Sequence, residues 1–153
     1  MRCILAIDTA GAEGSLALAG DGGVVARDVL PPGGHSEGLS RSVERMLAEA
    51  RLAARDLAAV AVAEGPGSFT GLRIGLAWAK GFVWATGVPL VLVPSHEALA
   101  EGRGMPGRAV ASLIPGARGF QDAAIWTAGS PSTLLWGPGP VDESEVVEHL
   151  ATL

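Results

Sequence analysis

At 153 residues the chain has room for one full hydrophobic core, or for one domain with a small annex. A formal net charge of -5 with only 11 Lys and Arg excludes a broad nucleic-acid footprint, so any RNA contact must be local or supplied by a partner. The single cysteine, Cys3, excludes an internal disulfide and a thiolate metal cluster, while 22 glycines and a 48% hydrophobic content suit a compact α/β protein.

Residues 2–9 (RCILAIDT) are apolar as far as Asp8, the pattern of a strand covered on both faces. Asp8 arrives too early for the apolar region of a signal peptide, and no stretch reaches the roughly 20 apolar residues of a membrane span. The expected location is the cytoplasm. Ligands in open α/β sheets sit beyond the carboxyl ends of strands, which makes Asp8 and Thr9 candidates for a polar site. The plainer reading is that Asp8 caps its own turn. Residues 14–19 and 24–30, joined by the turn DGG at 21–23, form a hairpin. Three strands in succession exclude a dinucleotide-binding start.

After a connector at 31–34, Ser36 is placed to cap a helix. Leu39, Val43, Met46, Leu47 and Ala50 recur at spacings of three and four and form its apolar stripe, with Glu37 four residues before Arg41. His35 has no neighbouring ligand set and reads as a surface or capping histidine. Residues 56–63 supply a fourth strand.

The organising stretch follows at 64–87, EGPGSFTGLRIGLAWAKGFVWATG. Gly65, Pro66 and Gly67 can continue neither a central strand nor a helix, and Ser68 or Thr70 can cap the helix that follows, over about 69–85. A Gly-rich turn feeding a helix N-terminus suits an anion, so Asp8, Thr9, Gly65, Gly67 and Ser68 form a candidate vestigial nucleotide or anion site; the same turn serves equally as a tight structural connection. Neither GxxxxGK[ST] nor GxGxxG is satisfied. Gly71, Gly75 and Ala79 repeat every four residues and give a flat face for close backbone approach. Arg73, Ala77, Lys80 and Trp84 occupy a second face. Either face suits a partner helix, since Arg and aromatic groups anchor interfaces, and solvated Arg and Lys covering apolar surface is the alternative. On the first view, Gly75→Leu should weaken association and leave the monomer folded.

A fifth strand at 88–93 ends at Pro94, and Ser95 caps a short helix over 96–100. The loop GRGMPGR at 102–108 is the candidate linker, giving domains 1–101 and 102–153. Beyond it, 109–113 and 122–128 read as two short strands, Trp126 and Trp136 as packing residues, and GPGP at 137–140 as the lead into a last acidic helix over 142–150. This remainder is too small to stand alone and should lean on the first domain. No nucleophile has an ordered base, and neither HxxxH nor HExxH occurs. Asp8, Glu64 and Glu97 lie at strand ends and can gather at one sheet edge, either to bind a divalent ion or to satisfy loop amides.

The segments ILAIDT (4–9), HSE (35–37), GPGSFTGLRIG (65–75), AKG (79–81), GVPL (87–90) and EALA (97–100) resemble the bacterial TsaB family, also called YeaZ, over nearly all of residues 2–100. The resemblance implies an actin/Hsp70-like, RNase H-like α/β fold with a mixed sheet, and the strand and helix order above agrees with it. It also implies a non-catalytic scaffold that binds and activates a TsaD-type paralogue. With a TsaE-type ATPase, that complex transfers threonylcarbamoyl from threonylcarbamoyl-AMP to N6 of adenosine 37 in tRNAs reading ANN codons. ATP, Mg and threonylcarbamoyl-AMP then belong to the wider complex and no cofactor is expected for this chain, with tRNA contacted only indirectly. The catalytic paralogue's metal-binding histidine pair, laid on this chain, falls on Ser95 and Leu99, with His96 one position out of register. No catalytic residue and no metal ligand is expected here.

Partner contact in the family, and homodimer formation when the partner is absent, use N-terminal helices. They map onto Leu39, Val43, Met46, Leu47, Gly71, Arg73, Gly75 and Lys80. Residues 114–119 (IPGARG) keep only part of the family's second-domain turn, and the chain is short for the family after Gly102. The alternative function is a small ATP-dependent phosphotransferase or nucleotide hydrolase of the same fold, using Asp8 and the 65–70 turn. A peptidase reading has neither a metal pair nor a catalytic triad behind it.

Overall fold

The computed structural model describes residues 2–103, 107–116, 120–127 and 132–152. They fall into two compact units, Met1–Val93 and Pro94–Leu153.

In the first unit, β1 (Cys3–Asp8), β2 (Gly14–Gly20), β3 (Gly23–Leu30), β4 (Ala59–Gly65) and β5 (Leu90–Pro94) form a sheet of order β3-β2-β1-β4-β5. The first three strands are antiparallel, and β1 runs parallel to β4. Strand alternation puts Cys3, Leu5 and Ile7 on one face, in register with Leu18 and Leu16 of β2 and with Val60 and Val62 of β4. On this face the helices α1 (His35–Glu49) and α2 (Phe69–Thr86) join the sheet in one buried cluster through Leu39, Val43, Met46, Leu47 and Ala79. The apolar stripe expected on α1 is therefore real, and it faces its own sheet.

α1 begins one residue before Ser36. Its cap is Gly34, which offers no side chain, so Ser36 lies inside the first turn and does not cap. His35 is buried, contrary to the surface position expected, because Gly14 leaves room for its ring beside Leu30. Arg45, rather than Arg41, makes the described ion pairs of α1: with Glu49 four residues on at 3.3 Å and with Asp28 of β3. Asp28 faces this helix; the Ser42 hydroxyl first, and then Val29 N–H and Arg45, hold its carboxyl below the usual carboxylate range.

α2 is positioned by its turn. Gly67 has φ +159°, and a Cβ there would come within 2.6 Å of the Ala10 side chain. The Ser68 hydroxyl accepts from Gly71 N–H at 3.2 Å and caps the helix as expected. The far end closes on Gly87, in the left-handed region at φ 75°, whose N–H donates to the Val83 carbonyl.

In the second unit, β6 (Ala109–Pro115), β7 (Gln121–Thr127) and β8 (Thr133–Val141) form an antiparallel sheet with β7 at the centre. β8 was not expected from the sequence, because GPGP reads as a strand breaker. Gly137 and Pro138 are tolerated because β8 is an edge strand with a register shift opposite Ala124, and a Cβ at Gly137 would press into the Ala123 carbonyl at 2.5 Å. The acidic helix α4 (Glu143–Ala151) is capped by Asp142, which accepts from the Ser144 and Glu145 N–H groups. Val146 of α4 packs with Ala123, Val141 and Trp136.

α3 (Ser95–Arg103) groups with this second unit, whereas the sequence put residues up to 101 with the first. The reason is His96, 1% exposed. One ring nitrogen, Nδ1, lies 2.7 Å from the Ser112 hydroxyl of β6, and the other, Nε2, lies 2.9 Å from an Asp122 carboxylate oxygen of β7. Ser95, expected to cap α3, is buried with no partner for its hydroxyl among the described residues.

Two stability predictions follow from these contacts. Gly71→Ala would put a methyl 1.9 Å from the Thr9 carbonyl oxygen, whereas a methyl at Gly81 meets nothing within 4 Å. Urea denaturation should show Gly71→Ala losing about 3 kcal/mol or more, and Gly81→Ala gaining up to about 1 kcal/mol from helix propensity. Equal behaviour of the two would contradict the packing. His96→Ala removes one hydrogen bond from part-exposed Asp122 and one from buried Ser112, whose hydroxyl keeps the Ala124 carbonyl, and should cost about 1–3 kcal/mol in the same measurement. A loss below about 0.5 kcal/mol would remove His96 as the anchor of α3.

Candidate functional site

The residues proposed for an anion site do meet, but most of their polar groups are already spent. The Thr9 hydroxyl, on a residue 1% exposed, donates to the Gly71 carbonyl at 2.8 Å, and Ser68 N–H donates to the Ala10 carbonyl at 2.7 Å. Asp8 accepts from Ala10 N–H at 2.8 Å, the local turn cap of the plainer reading. Gly65 and Gly67 shape the turn that lets these two loops touch. These bonds stitch the end of β1 to the start of α2. Among the described residues no three His, Cys, Asp or Glu side chains are grouped to hold a metal ion. Glu97 accepts from the Ser132 hydroxyl at 3.2 Å.

The glycine face of α2 is closed inside the unit. Gly71 and Gly75 are buried, and a Cβ at Gly75 would lie 2.3 Å from the Thr9 hydroxyl oxygen. They cannot meet a partner helix, and Gly75→Leu would strain the fold instead of leaving the monomer intact. Leu39 and Met46 are fully buried in the same core, which removes them from the interface for the same reason. Small residues spaced by four on a helix signal close approach without saying to what.

The other face of α2 is open. A groove of about 530 Å³ runs between α1 and α2, with Val43, Leu47 and Ala54 contributing to its floor. Trp78 and Phe82, stacked with ring centroids 4.9 Å apart, make one wall, and the Trp78 indole N–H donates to the Ser40 hydroxyl of α1 at 2.8 Å. Ala77 and Gly81 leave the α2 side low, and Glu44 adds a charge on the α1 side. Beyond the groove on α2, Trp84 is 89% exposed and Phe69 is 71% exposed, the latter under the Arg73 guanidinium at 4.4 Å. Arg73 and Lys80 are exposed as the interface reading required. Of the other sequence-derived interface residues, Val43 and Leu47 reach the groove from the core.

Ser40, Trp78, Gly81 and Phe82 were missed. Trp78 and Phe82 stand four apart on α2, so their spacing was legible; that α1 would lie alongside them was not. Half-buried Trp78 and Phe82 in the groove wall, and exposed Phe69 and Trp84 near Arg73 and Lys80, are residue types enriched at protein-docking surfaces.

Ser95 and Leu99, the positions on which the family resemblance lays the transferase's metal ligands, carry neither imidazole, carboxylate nor thiolate. His96 does not substitute for them, because both ring nitrogens are engaged within the second unit. No described helix is long and apolar enough to cross a membrane.

Comparison with known proteins agrees with this architecture. The family model described as TsaD, tRNA N6-adenosine threonylcarbamoyltransferase, matches residues 17–120. The tRNA threonylcarbamoyladenosine biosynthesis protein TsaB of Escherichia coli (strain K12) is 38% identical over 99 residues, 65% of this chain and 43% of that protein. YeaZ from Pseudomonas aeruginosa superposes with a TM-score of 0.82 at 27% identity, over 92% of this chain and 68% of that one. Lmo2764 from Listeria monocytogenes, a putative N-acetylmannosamine kinase, superposes at 0.54 with 17% identity over 89% of this chain and 50% of its own, a likeness of fold alone within the actin/Hsp70/ROK class. The chain spans less than half the length of the curated TsaB relatives it matches. It belongs to the TsaD family of tRNA N6-adenosine threonylcarbamoyltransferase proteins, and within that family it is homologous in sequence and structure to the bacterial TsaB/YeaZ paralogues.

Proposed function

We propose that this chain is a non-catalytic TsaB/YeaZ-type subunit that binds and activates a TsaD-type transferase in forming N6-threonylcarbamoyladenosine at position 37 of tRNAs reading ANN codons. The observation that carries the reading is the open, aromatic-walled groove between α1 and α2, with Trp84 and Phe69 left exposed on the same helix. Leaving such surface in water is unfavourable, and a partner helix pair covering it would recover roughly 25 cal/mol per Å² of apolar area. The residues at the start of α3 support the non-catalytic part: Ser95 and Leu99 stand where the transferase needs ligands, and His96 is bonded away. ATP, Mg and threonylcarbamoyl-AMP are handled by the other subunits, a TsaE-type ATPase among them, and tRNA reaches the chain only through the complex. The same face closes a homodimer when the paralogue is absent. The assembly works in the cytoplasm.

The groove can be tested without disturbing the core. Gly81→Leu fills it from a position where an added Cβ meets nothing within 4 Å, and Trp84→Ala removes the most exposed aromatic of α2. Calorimetric titration with the TsaD-type paralogue from the same cell should show each variant losing at least about tenfold in affinity, with the unfolding temperature unchanged or higher. Wild-type affinity in both would take this face out of the interface.

A further inference from the structure

Within the groove, Ser40 stands apart from everything that family likeness or helix periodicity singled out. It is exposed on α1, yet its hydroxyl accepts the Trp78 indole N–H at 2.8 Å across the groove. A tryptophan in the middle of a helix has two low-energy settings of its first side-chain torsion, and its neighbours decide which is occupied. Here the neighbours on its own helix do little to decide. Ala77 and Gly81 present almost no side chain, and the added-Cβ position at Gly81 is open. Beyond its packing on the buried core, two directed contacts hold the ring: the stack on Phe82 and the bond to Ser40 from the other helix.

We propose that Ser40 is a positioning residue for partner recognition: its hydroxyl fixes the Trp78 ring, and through the stack the Phe82 ring, in the setting that keeps the α1–α2 groove open to a helix of the TsaD-type paralogue. This rests on the docking role assigned to the groove above. Without the bond, the Trp78 ring keeps its packing on the core but loses its tie to α1, so settings that narrow the cleft gain population and the partner must select the open state at a cost in affinity.

The test is calorimetric titration of the paralogue with Ser40→Ala, Trp78→Phe, the double variant and Ser40→Thr, well below every unfolding temperature. Ser40→Ala and Trp78→Phe should each weaken binding by about 3- to 10-fold, the size expected for one lost hydrogen bond. The double variant should be no weaker than either single one, and Ser40→Thr, which keeps the hydroxyl, should bind within about twofold of the native chain. Native affinity in Ser40→Ala, additive losses in the double variant, or failure of the threonine to restore binding would each overturn the proposal. Gly81→Leu run alongside separates the two levels: if it abolishes binding while Ser40→Ala does not, the groove stands and Ser40 is dismissed. If Gly81→Leu also binds normally, the docking role falls with it.

Discussion

The first unit depends on the contact between Thr9 and the glycine face of α2. The Thr9 carbonyl and hydroxyl oxygens lie where side chains at positions 71 and 75 would have to be, and the hydroxyl donates to the Gly71 carbonyl. Backbone pressed this closely against a strand end leaves no freedom in the angle or height of α2. Everything outward on the helix is then fixed in turn: Ala79 sits in the core, Trp78 and Phe82 face α1, and Arg73, Lys80 and Trp84 face outward. The contact engages the Thr9 hydroxyl with the Gly71 carbonyl, and the Ser68 N–H beside it with the Ala10 carbonyl.

In the second unit the ring of His96, at the start of α3, is engaged by Ser112 and Asp122. An imidazole with both nitrogens bonded and 1% exposure has no lone pair to offer a metal, and removing it strands polar groups in a buried place. His96 therefore holds helix to sheet within the second unit.

Much of the first unit was legible because its signals are local. An apolar run ending at Asp8 marked β1, two short runs about the DGG turn marked β2 and β3, a three-four stripe marked α1, and Gly-Pro-Gly followed by Ser68 marked the turn and cap of α2. What was misread depends on tertiary partners. The spacing of Gly71 and Gly75 signals close approach, but only the fold reveals that Thr9, 62 residues from Gly71, is the neighbour. Ser36 lost its capping role to a helix starting one residue earlier, and His35 is buried because Gly14 of β2 makes room for it. β8 was hidden because Pro and Gly weaken every local strand signal, and an edge position with a register shift tolerates both. Of the candidate interface, the exposed Arg73 and Lys80 were legible, while Ser40 and the Trp78–Phe82 wall require α1 and α2 to be seen side by side.

The central claim is that the chain works through contact and not through chemistry of its own. The most direct measurement is threonylcarbamoyl transfer to tRNA, with paralogue, ATPase and threonylcarbamoyl-AMP present, run with this chain, without it, and with this chain in place of the paralogue. Transfer that requires paralogue and chain together, and is absent with this chain alone, is the predicted result. Transfer by this chain without the paralogue, or transfer by a competent paralogue that is indifferent to its addition, would contradict the account.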